Sequence, residues 1–304
     1  MTTATIGFVG LGNMGAPMAV NLVKAGHRVT GYDLNHAAVK ALVTVGGHAA
    51  GSPAEAARDA QVVITMLPAG EHVRTVWLQG GLLAAVQQAR PLLIDCSTID
   101  VATAREVSEA ARAAGLAMLD APVSGGVAGA TGGTLTFMVG GTGDAFACGR
   151  PILQAMGKII VHAGGPGAGQ AAKICNNMML AINMIGVSEA FLLAEKLGLD
   201  WNKLNQIAGA SSGQSWALTA YCPAPGPVPG APSNRDYAAG FAAALMLKDV
   251  TLSQDAAASL DVPTPLGAHA AALFRQVVEA GEGARDFSVV FRWLAGQQRT
   301  ALVP

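Results

Sequence analysis

The sequence predicts an α/β domain with a doubly wound, mainly parallel sheet over residues 1–163, followed by an all-α domain over residues 164–304. In the first part, short β-type runs alternate with segments that are apolar at helical spacing, a pattern typical of strands joined by crossover helices. After residue 165 no alternating β pattern occurs. The stretch 164–198 has no proline beyond its Gly-Pro-Gly start and is apolar on every face, which predicts one long buried helix that joins the two domains.

The individual elements follow from the same two periodicities. Predicted strands are 6–9, 27–32, 61–67, 91–95, 117–121, 134–140 and 159–162. Predicted helices are 16–25, a helix that starts near Asn35, 54–59, 73–77, 103–114, 145–156, 202–210, 242–260 and 266–280.

Composition and charge limit the kinds of protein that this chain can be. The chain has 304 residues, 51% of them hydrophobic and 13% charged, which allows a large core and favours two domains. A net charge of -1 without a basic cluster gives counterion-driven binding of nucleic acid little to act on. No apolar run is expected to reach the length of a bilayer span, and the N-terminus lacks a basic region with a signal core. We therefore expect a cytoplasmic protein with neither a nucleic acid nor a membrane as partner.

The four cysteines are far apart and share no C-x-x-C spacing. This predicts neither a metal site nor a disulfide framework, and we expect buried reduced thiols instead. The cysteines are Cys96, Cys148, Cys175 and Cys222.

A glycine-rich loop follows the first predicted strand and precedes the first predicted helix. That order of strand, G-x-G-x-x-G and helix is the context in which the motif binds a dinucleotide. Gly10 permits the tight turn, Gly12 lets the backbone approach a pyrophosphate, and Gly15 lets helix and strand pack closely. The predicted cofactor contacts in this loop are Gly10, Leu11, Gly12, Asn13, Met14 and Gly15.

An acidic residue, Asp33, ends the second predicted strand. A carboxylate at this place accepts hydrogen bonds from the adenosine ribose and repels a 2′-phosphate. Asp33 can also cap the turn before the helix at Asn35, and the two roles are compatible. Because no arginine follows Asp33, the sequence predicts NAD rather than NADP.

The third and fourth predicted strands break at Pro68 and at Cys96. In an open parallel sheet, the crevice beyond the carboxyl ends of the strands binds the ligand. Leu67, Pro68 and Thr98 are therefore candidate cofactor contacts, although each can equally belong to a plain turn.

A second glycine-containing stretch, Asp120-Ala-Pro-Val-Ser-Gly-Gly126, is predicted to be a loop. Successive backbone N–H groups at Ser124, Gly125 and Gly126 can form an anion-binding nest, and the Ser124 hydroxyl adds a donor. This loop is a candidate site for a substrate carboxylate, and the alternative is a glycine-rich turn between strands.

Lys173 and Asn177 lie four residues apart on the long predicted helix and therefore project from the same face. Most helical lysines are solvated, but apolar neighbours would lower the pKa of this ammonium towards neutrality and make the amine a proton acceptor. The neighbours are Ala171, Ala172, Ile174, Cys175 and Met178. We expect Lys173 to be catalytic and Asn177 to orient the substrate.

Two residues of the second domain stay ambiguous at this point. Trp216 can line a substrate pocket or simply pack in the core. Lys248 also stands beside apolar residues, and Asp249 offers it an ordinary surface ion pair.

Four segments in order, GFVGLGNMGAPM, DAPVSGG, GGTLTFMVGG and GQAAKICNN, resemble the β-hydroxyacid dehydrogenases, and within them the 3-hydroxyisobutyrate dehydrogenases, over residues 5–293. The resemblance implies a Rossmann domain, a long central helix and an all-helical domain that supports a homodimer or homotetramer. It also implies NAD-dependent oxidation of a small 3-hydroxy acid, here 3-hydroxyisobutyrate to methylmalonate semialdehyde in valine catabolism.

The same resemblance assigns roles to residues. Lys173 matches the catalytic lysine and Asn177 the asparagine that holds the substrate, while Ser124, Gly125 and Gly126 match the loop that binds its carboxylate. The residues that match NAD contacts are the glycine loop, Asp33, Leu67, Pro68, Thr98 and Lys248.

One loop departs from the family pattern. Where S-S-G-R-C-W-S is common, this chain has Ser211-Ser-Gly-Gln214-Ser-Trp-Ala217 and so lacks a positive charge. An L-serine dehydrogenase or a tartronate semialdehyde reductase is therefore an alternative. A catalytically silent dinucleotide-binding protein is another, against which Lys173 argues. An imine reductase is disfavoured by both Lys173 and Asp33.

Overall fold

The computed structural model describes residues 3–300, the last three by their backbone alone. The ends of both predicted domains, residues 1–2 and 301–304, lie outside the described residues. The chain divides into two compact units, Met1–Lys173 and Ile174–Pro304.

The first unit is built on one sheet. Its strands are β1 Thr5–Val9, β2 Arg28–Tyr32, β3 His48–Ala49, β4 Val62–Thr65, β5 Leu92–Asp95, β6 Met118–Asp120, β7 Val123–Ser124, β8 Leu135–Gly140 and β9 Gly157–Gly164. Their spatial order is β3-β2-β1-β4-β5-β6-β8-β7, with β9 paired to β8. All pairs among β1 to β6 are parallel, while β8 runs antiparallel to β6 and β7. The reversal of strand order between β1 and β4 places a ligand crevice at their carboxyl ends.

Helices cover both faces of this sheet. They are α1 Gly15–Lys24, α2 His36–Thr44, α3 Pro53–Ala57, α4 Gly70–Arg74, α5 Leu82–Val86, α6 Val101–Ala113, α7 Gly126–Gly132 and α8 Gly143–Leu153. Successive residues of β4 alternate between two cores, because Val62 and Ile64 pack with α1 whereas Val63 packs with Trp77 and with α6. The doubly wound α/β prediction is confirmed.

The predicted strands and helices of this unit are all present, with ends shifted by a few residues. The predictions omitted β3, β7, α5 and α7, which have only two to seven residues each and show no complete period. The stretch after Asp120 was expected to be an irregular loop. Instead, β7 pairs with β8 and Gly126 opens α7.

The long helix, α9 Ala168–Lys196, begins in the first unit and continues into the second. The division between units falls after Lys173, whereas the sequence places the boundary at 163/164, before the helix. Hydrogen bonds from Gly167 and Gln170 to Asp120 attach the first turn of α9 to the first unit. The domain boundary at 163/164 stays a prediction.

The second unit continues α9 with helices α10 Trp201–Gly209, α11 Trp216–Thr219, α12 Ala243–Ser259, α13 Pro265–Val277 and α14 Val290–Thr300. Two apolar clusters hold it together, one centred on Phe274 and Phe287 and the other on Phe191 and Phe291. Within residues 174–300 the structure contains no β-strand, which agrees with the predicted all-α domain.

Two expectations about burial are wrong. The helix α9 is not buried all round, because Met179 is 55% and Leu193 60% exposed. Two of the thiols, Cys148 and Cys175, are exposed, while Cys96 and Cys222 are buried. Periodicity gives the length of a helix, but an all-apolar pattern cannot tell which of its faces receives a neighbour.

The helix α9 is also long and apolar enough to cross a membrane, contrary to the expectation that no apolar run reaches that length. Its most apolar window is 44% buried within the chain. Core helices of water-soluble proteins meet the same criterion, so this finding is weak evidence for a membrane span.

Candidate active site

The glycine-rich loop lies between β1 and α1, as predicted. The N–H of Gly10, which has φ of 97°, donates to the Tyr32 carbonyl at 2.9 Å and so ties the loop to β2. A Cβ at Gly15 would collide with the Gly10 carbonyl oxygen. Among the described residues, a Cβ at Gly12 would meet no atom within 4 Å. The loop is therefore closely packed at its base and open at Gly12, where a pyrophosphate needs access.

Asp33 connects the glycine-rich loop to the turn that precedes α2. Its Oδ2 accepts the N–H of Leu11 at 2.6 Å, and its Oδ1 accepts the N–H of Asn35 at 2.7 Å. Asn35 itself caps α2 by accepting the N–H of Ala37 at 3.0 Å. Asp33 thus stabilises the turn, and each carboxylate oxygen retains a second lone pair for a ribose hydroxyl. The two roles considered from the sequence are compatible in this geometry.

The ends of β4 and β5 are joined by a buried network. Ser97 Oγ accepts the N–H of Leu67 at 2.8 Å and donates to Asp95 Oδ1 at 2.6 Å. Thr65 Oγ1 donates to the same carboxylate oxygen at 2.7 Å. Burial raises the pKa of Asp95. The predicted cofactor contacts Leu67 and Thr98, the neighbour of Ser97, are therefore held by one group of side chains.

The loop Ser124–Gly126 connects β7 to α7. Gly125 and Gly126 have φ of 131° and 61°, in the region that L side chains rarely adopt. The two glycines are required by the backbone, and the N–H groups of this turn carry no bulky side chain beside them. That arrangement is compatible with the predicted carboxylate nest, and the role itself stays a prediction.

Lys173 lies on α9 and is 6% exposed. The turn before it is held by Asp120 at the end of β6, whose Oδ1 and Oδ2 accept the N–H groups of Gly167 at 2.7 Å and Gln170 at 3.0 Å. Burial raises the pKa of Asp120 to about 6, although both backbone donors act in the opposite direction. The lysine is therefore carried by a helical turn that is fixed to the sheet.

In the second unit, Asn177 is 1% exposed and donates from Nδ2 to Asp249 Oδ2 at 2.6 Å. Lys248 Nζ lies 3.5 Å from the other oxygen, Asp249 Oδ1. The ion pair expected from the sequence is present, but its description as a surface pair is wrong, because Asp249 is buried. One carboxylate thus connects the two predicted site residues of this unit.

The variable loop before α11 also belongs to the second unit. Trp216 is 51% exposed and stacks on Tyr221 with ring centroids 4.6 Å apart, so one of its faces packs while much of the ring stays accessible. Gln214 Nε2 lies 3.4 Å from Thr219 Oγ1. The side chain of Gln214 is neutral and exposed.

Sequence reasoning missed the side chains that hold these networks together: Thr65, Asp95, Ser97, Asp120, Gln170 and, as a buried group, Asp249. A signal was available for Gln170, since residues 170, 173 and 177 follow the i, i+3, i+7 spacing of one helical face. No group of three His, Cys, Asp or Glu side chains that could hold a metal ion occurs within the part of the chain that the structure describes.

Comparisons with known proteins bear on the family of the chain. Residues 5–165 match the family described as the NAD binding domain of 6-phosphogluconate dehydrogenase. Residues 167–294 match the family described as NAD-binding of NADP-dependent 3-hydroxyisobutyrate dehydrogenase.

Two similar proteins come from Pseudomonas aeruginosa. One, named 3-hydroxyisobutyrate dehydrogenase, is 52% identical over 295 residues, covering 96% of this chain and 99% of that protein. The other, named NAD-dependent L-serine dehydrogenase, is 51% identical over 286 residues, covering 94% of this chain and 96% of that protein.

A solved structure titled Mycobacterium tuberculosis 3-hydroxyisobutyrate dehydrogenase with L-serine has a TM-score of 0.91 at 48% identity, covering 96% of this chain and 99% of that one. Sequence and fold thus agree over nearly the whole chain with proteins of one family. The chain belongs to the 3-hydroxyisobutyrate dehydrogenase family, and it is an NAD-dependent dehydrogenase that acts on CH–OH groups.

Proposed function

We propose that the chain oxidises 3-hydroxyisobutyrate to methylmalonate semialdehyde with NAD, a step of valine breakdown. The observation that carries this proposal is the burial of Lys173 on α9, one turn before the buried Asn177. Lysine is almost never buried to this degree without a specific reason. Similarity to proteins named 3-hydroxyisobutyrate dehydrogenase supports the choice of substrate.

Lys173 is the general base in the proposed reaction. Its neutral amine accepts the proton of the substrate hydroxyl while a hydride leaves the same carbon, and its ammonium returns a proton in the reverse reaction. NAD, when bound, supplies the hydride acceptor. The protein contributes the position of the substrate and the movement of the proton.

The other site residues bind and orient. The N–H groups of the Ser124–Gly126 loop and the Ser124 hydroxyl donate to the substrate carboxylate, and Asn177, fixed by Asp249, donates to the substrate. The proposed NAD contacts are the glycine loop, Asp33, Leu67, Pro68, Thr98 and Lys248. The openness at Gly12 and the free lone pairs of Asp33 fit a dinucleotide.

L-serine is the second candidate substrate, and tartronate semialdehyde is a related one for the reverse reaction. The observation in favour of serine is the neutral Gln214 in the loop before α11, together with a similar protein named L-serine dehydrogenase. Serine carries an ammonium where 3-hydroxyisobutyrate carries a methyl group. A side-chain amide oxygen can accept a hydrogen bond from that ammonium, whereas an arginine would repel it.

The test is the rate of NADH formation with purified protein, NAD and each of 3-hydroxyisobutyrate, L-serine, glycerate and threonate, repeated with NADP. The comparison uses kcat/KM, because this ratio measures discrimination between substrates. A preference for 3-hydroxyisobutyrate supports the proposal, and a preference for serine overturns it in favour of the alternative. Binding of NAD without turnover of any substrate would identify a catalytically silent binding protein.

We also propose a homodimer or homotetramer and a cytoplasmic location. The exposed apolar side chains of α9, Met179 and Leu193 among them, support association because a second copy would cover them. Light scattering coupled to size-exclusion chromatography measures the mass in solution, and a monomer at micromolar concentration would contradict the proposal. Fractionation of cells tests the location.

A further inference from the structure

Gln170 is completely buried in the first turns of α9, and both polar atoms of its side chain are in use. Its Oε1 accepts the N–H of Ile99 at 3.1 Å, and its Nε2 donates to the carbonyl oxygen of Ser97 at 2.7 Å. These two backbone groups flank Thr98 on either side. One amide therefore holds the backbone of a predicted cofactor contact from both ends.

The turn that carries Gln170 is itself fixed. Asp120 accepts the backbone N–H groups of Gly167 and Gln170, which replaces the missing intrahelical partners of that turn. Between them, Gly169 lies so close to the sheet that a Cβ would sit 2.6 Å from the carbonyl oxygen of Asp120. The first turn of α9 is therefore held in a fixed position against the end of β6.

The hydrogen bonds continue beyond Thr98. Ser97, whose carbonyl oxygen is held by Gln170, also binds the N–H of Leu67 through its hydroxyl. Leu67 and Thr98, which follow two different strands, are thus connected to the same glutamine. Three residues further along α9, on the same side of the helix, stands Lys173.

We propose that Gln170 is a positioning residue that sets the Thr98 segment relative to the helical turn of Lys173, so that one side chain places both a cofactor contact and the acid–base group. It touches neither substrate nor reacting atoms and acts through these two residues. The inference rests on the proposed roles of Thr98 and Lys173.

A neutral amide is well suited to this role. It offers one acceptor to Ile99 and one donor to Ser97, both of which are buried and lose their partner if the side chain is apolar. An ionised glutamate could accept from Ile99 but would face the Ser97 carbonyl without a proton. A protonated glutamate regains the donor.

The first test is Gln170→Met, which keeps the length of the side chain and removes both hydrogen bonds. We expect kcat/KM for NAD to fall about 10- to 100-fold, since two buried backbone groups lose their partners. The dissociation constant for NAD, measured by fluorescence, should rise, and the primary deuterium isotope effect on kcat should increase because hydride transfer becomes slower. Circular dichroism is expected to stay unchanged.

Gln61→Met is the matched control. Gln61 is another glutamine of the first unit whose side chain accepts a backbone N–H, that of Thr5 at 3.0 Å, but it stands at the start of β4, away from the carboxyl ends of the strands. We expect wild-type kinetics for this variant. A Gln170→Met enzyme with wild-type NAD affinity and wild-type kinetics overturns the proposal.

The second test is rescue by protonation of Gln170→Glu. Burial and the neighbouring Asp120 carboxyl raise the pKa of the introduced group. The ratio of variant to wild-type kcat/KM should therefore rise as the pH falls from about 8 to about 6, and because Asp120 and the introduced carboxyl are neighbours, this rise reports their coupled titration. A ratio near one at every pH would mean that the pocket needs only the volume of glutamine, and a ratio that stays low at every pH would mean that regaining the donor to Ser97 does not restore the site; either result overturns the proposal.

These measurements separate two failures. A wild-type protein that oxidises no 3-hydroxy acid contradicts the proposed function, yet the NAD dissociation constants of the wild type and of Gln170→Met still test the role of Gln170. An active wild type with an unaffected Gln170→Met variant contradicts the positioning role alone.

Discussion

The two units of the chain assemble their candidate site residues by different means. In the first unit, the glycine loop, Asp33, Leu67 and Thr98 each follow a strand in the parallel part of one sheet. In the second unit, Asn177 and Lys248 lie on two helices and are joined by a single carboxylate, that of Asp249, which is 72 residues from Asn177. Strand topology brings the first set together, whereas only long-range packing brings the second set together.

This difference teaches where sequence patterns are informative. Parallel strands place their carboxyl ends at one edge, so any residue that follows a strand can be assigned to that edge from local periodicity. A helix has no equivalent rule, because the face that meets a neighbour depends on the other helices. Substitutions in each unit test whether strand topology and helix packing position the site residues in these two different ways.

The largest effect is expected for Lys173→Ala, at the last residue of the first unit. Loss of proton transfer should lower kcat about 10²- to 10⁴-fold while the dissociation constant for NAD stays nearly unchanged. Steady-state kinetics and fluorescence titration measure the two quantities. Lys196→Ala, at the exposed last turn of the same helix, is the control and should behave as wild type. Near wild-type turnover of Lys173→Ala would remove the lysine from the mechanism.

Asn177→Ala should have the next largest effect, on the second unit. It leaves the buried Asp249 carboxylate without its amide donor, and a hydrogen bond to a charged group contributes about 1.5–3 kcal/mol, so kcat/KM for the hydroxy acid should fall about 10- to 100-fold. Affinity for NAD should change much less. Asn183→Ala, exposed on α9, serves as the control.

A double-mutant cycle sharpens this prediction. Asn177→Ala and Asp249→Asn should be non-additive, because the two side chains share one hydrogen bond. If the effects of the two substitutions on the free energy derived from kcat/KM simply add, Asp249 does not act through Asn177. The two residues would then contribute independently to the site.

Much of the fold follows from the sequence, and the failures have physical causes. Glycine spacing, strand length and helical periodicity predict the doubly wound class, the strand ends at the ligand edge and the length of α9. Strands of two residues, such as β3, contain too few residues to show alternation. The exposure of Met179 and Leu193 was missed because burial of a face depends on what packs there.

The candidate site was predictable to the extent that it is local. Lys173 and Asn177 are found by their spacing on one helix, and Asp33 by its place after β2. Asp120 and Asp249 could not be assigned in this way, because a carboxylate that caps a distant turn or amide resembles any other acidic residue in the sequence. The partner, not the residue type, defines their role.

For the first unit, Asp33→Asn should raise KM for NAD about tenfold, since ribose hydroxyls lose a charged acceptor. Discrimination against NADP should fall as well, because no carboxylate remains to repel the 2′-phosphate. The ratio of kcat/KM for NAD to that for NADP is the measurement, with Asp59→Asn at an exposed position as the control. An unchanged ratio would show that Asp33 serves only the turn that it forms with Leu11 and Asn35.

The smallest effect concerns the pH dependence of stability in the first unit. Burial raises the pKa of Asp120 from 3.8 to about 6, so the folded state binds its proton more tightly than the unfolded state does. The stabilisation is present below about pH 4 and is lost as the pH rises through 6, by at most about 1.4 kcal/mol per pH unit. Asp120→Asn removes this contribution.

The difference in unfolding free energy between wild type and Asp120→Asn, measured by urea titration from about pH 4.5 to about pH 7.5, should therefore shrink or reverse its sign as the pH rises to about 6 and then level off. Taking the difference cancels groups that titrate in both proteins. A difference that grows with pH would mean that the hydrogen bonds from Gly167 and Gln170 outweigh burial and hold the carboxylate ionised. In that case an ionised carboxylate would fix the first turn of α9, just as the Asp249 carboxylate fixes Asn177 in the second unit. The two units would then both use a distant carboxylate to position a site residue, and the contrast between them would be smaller.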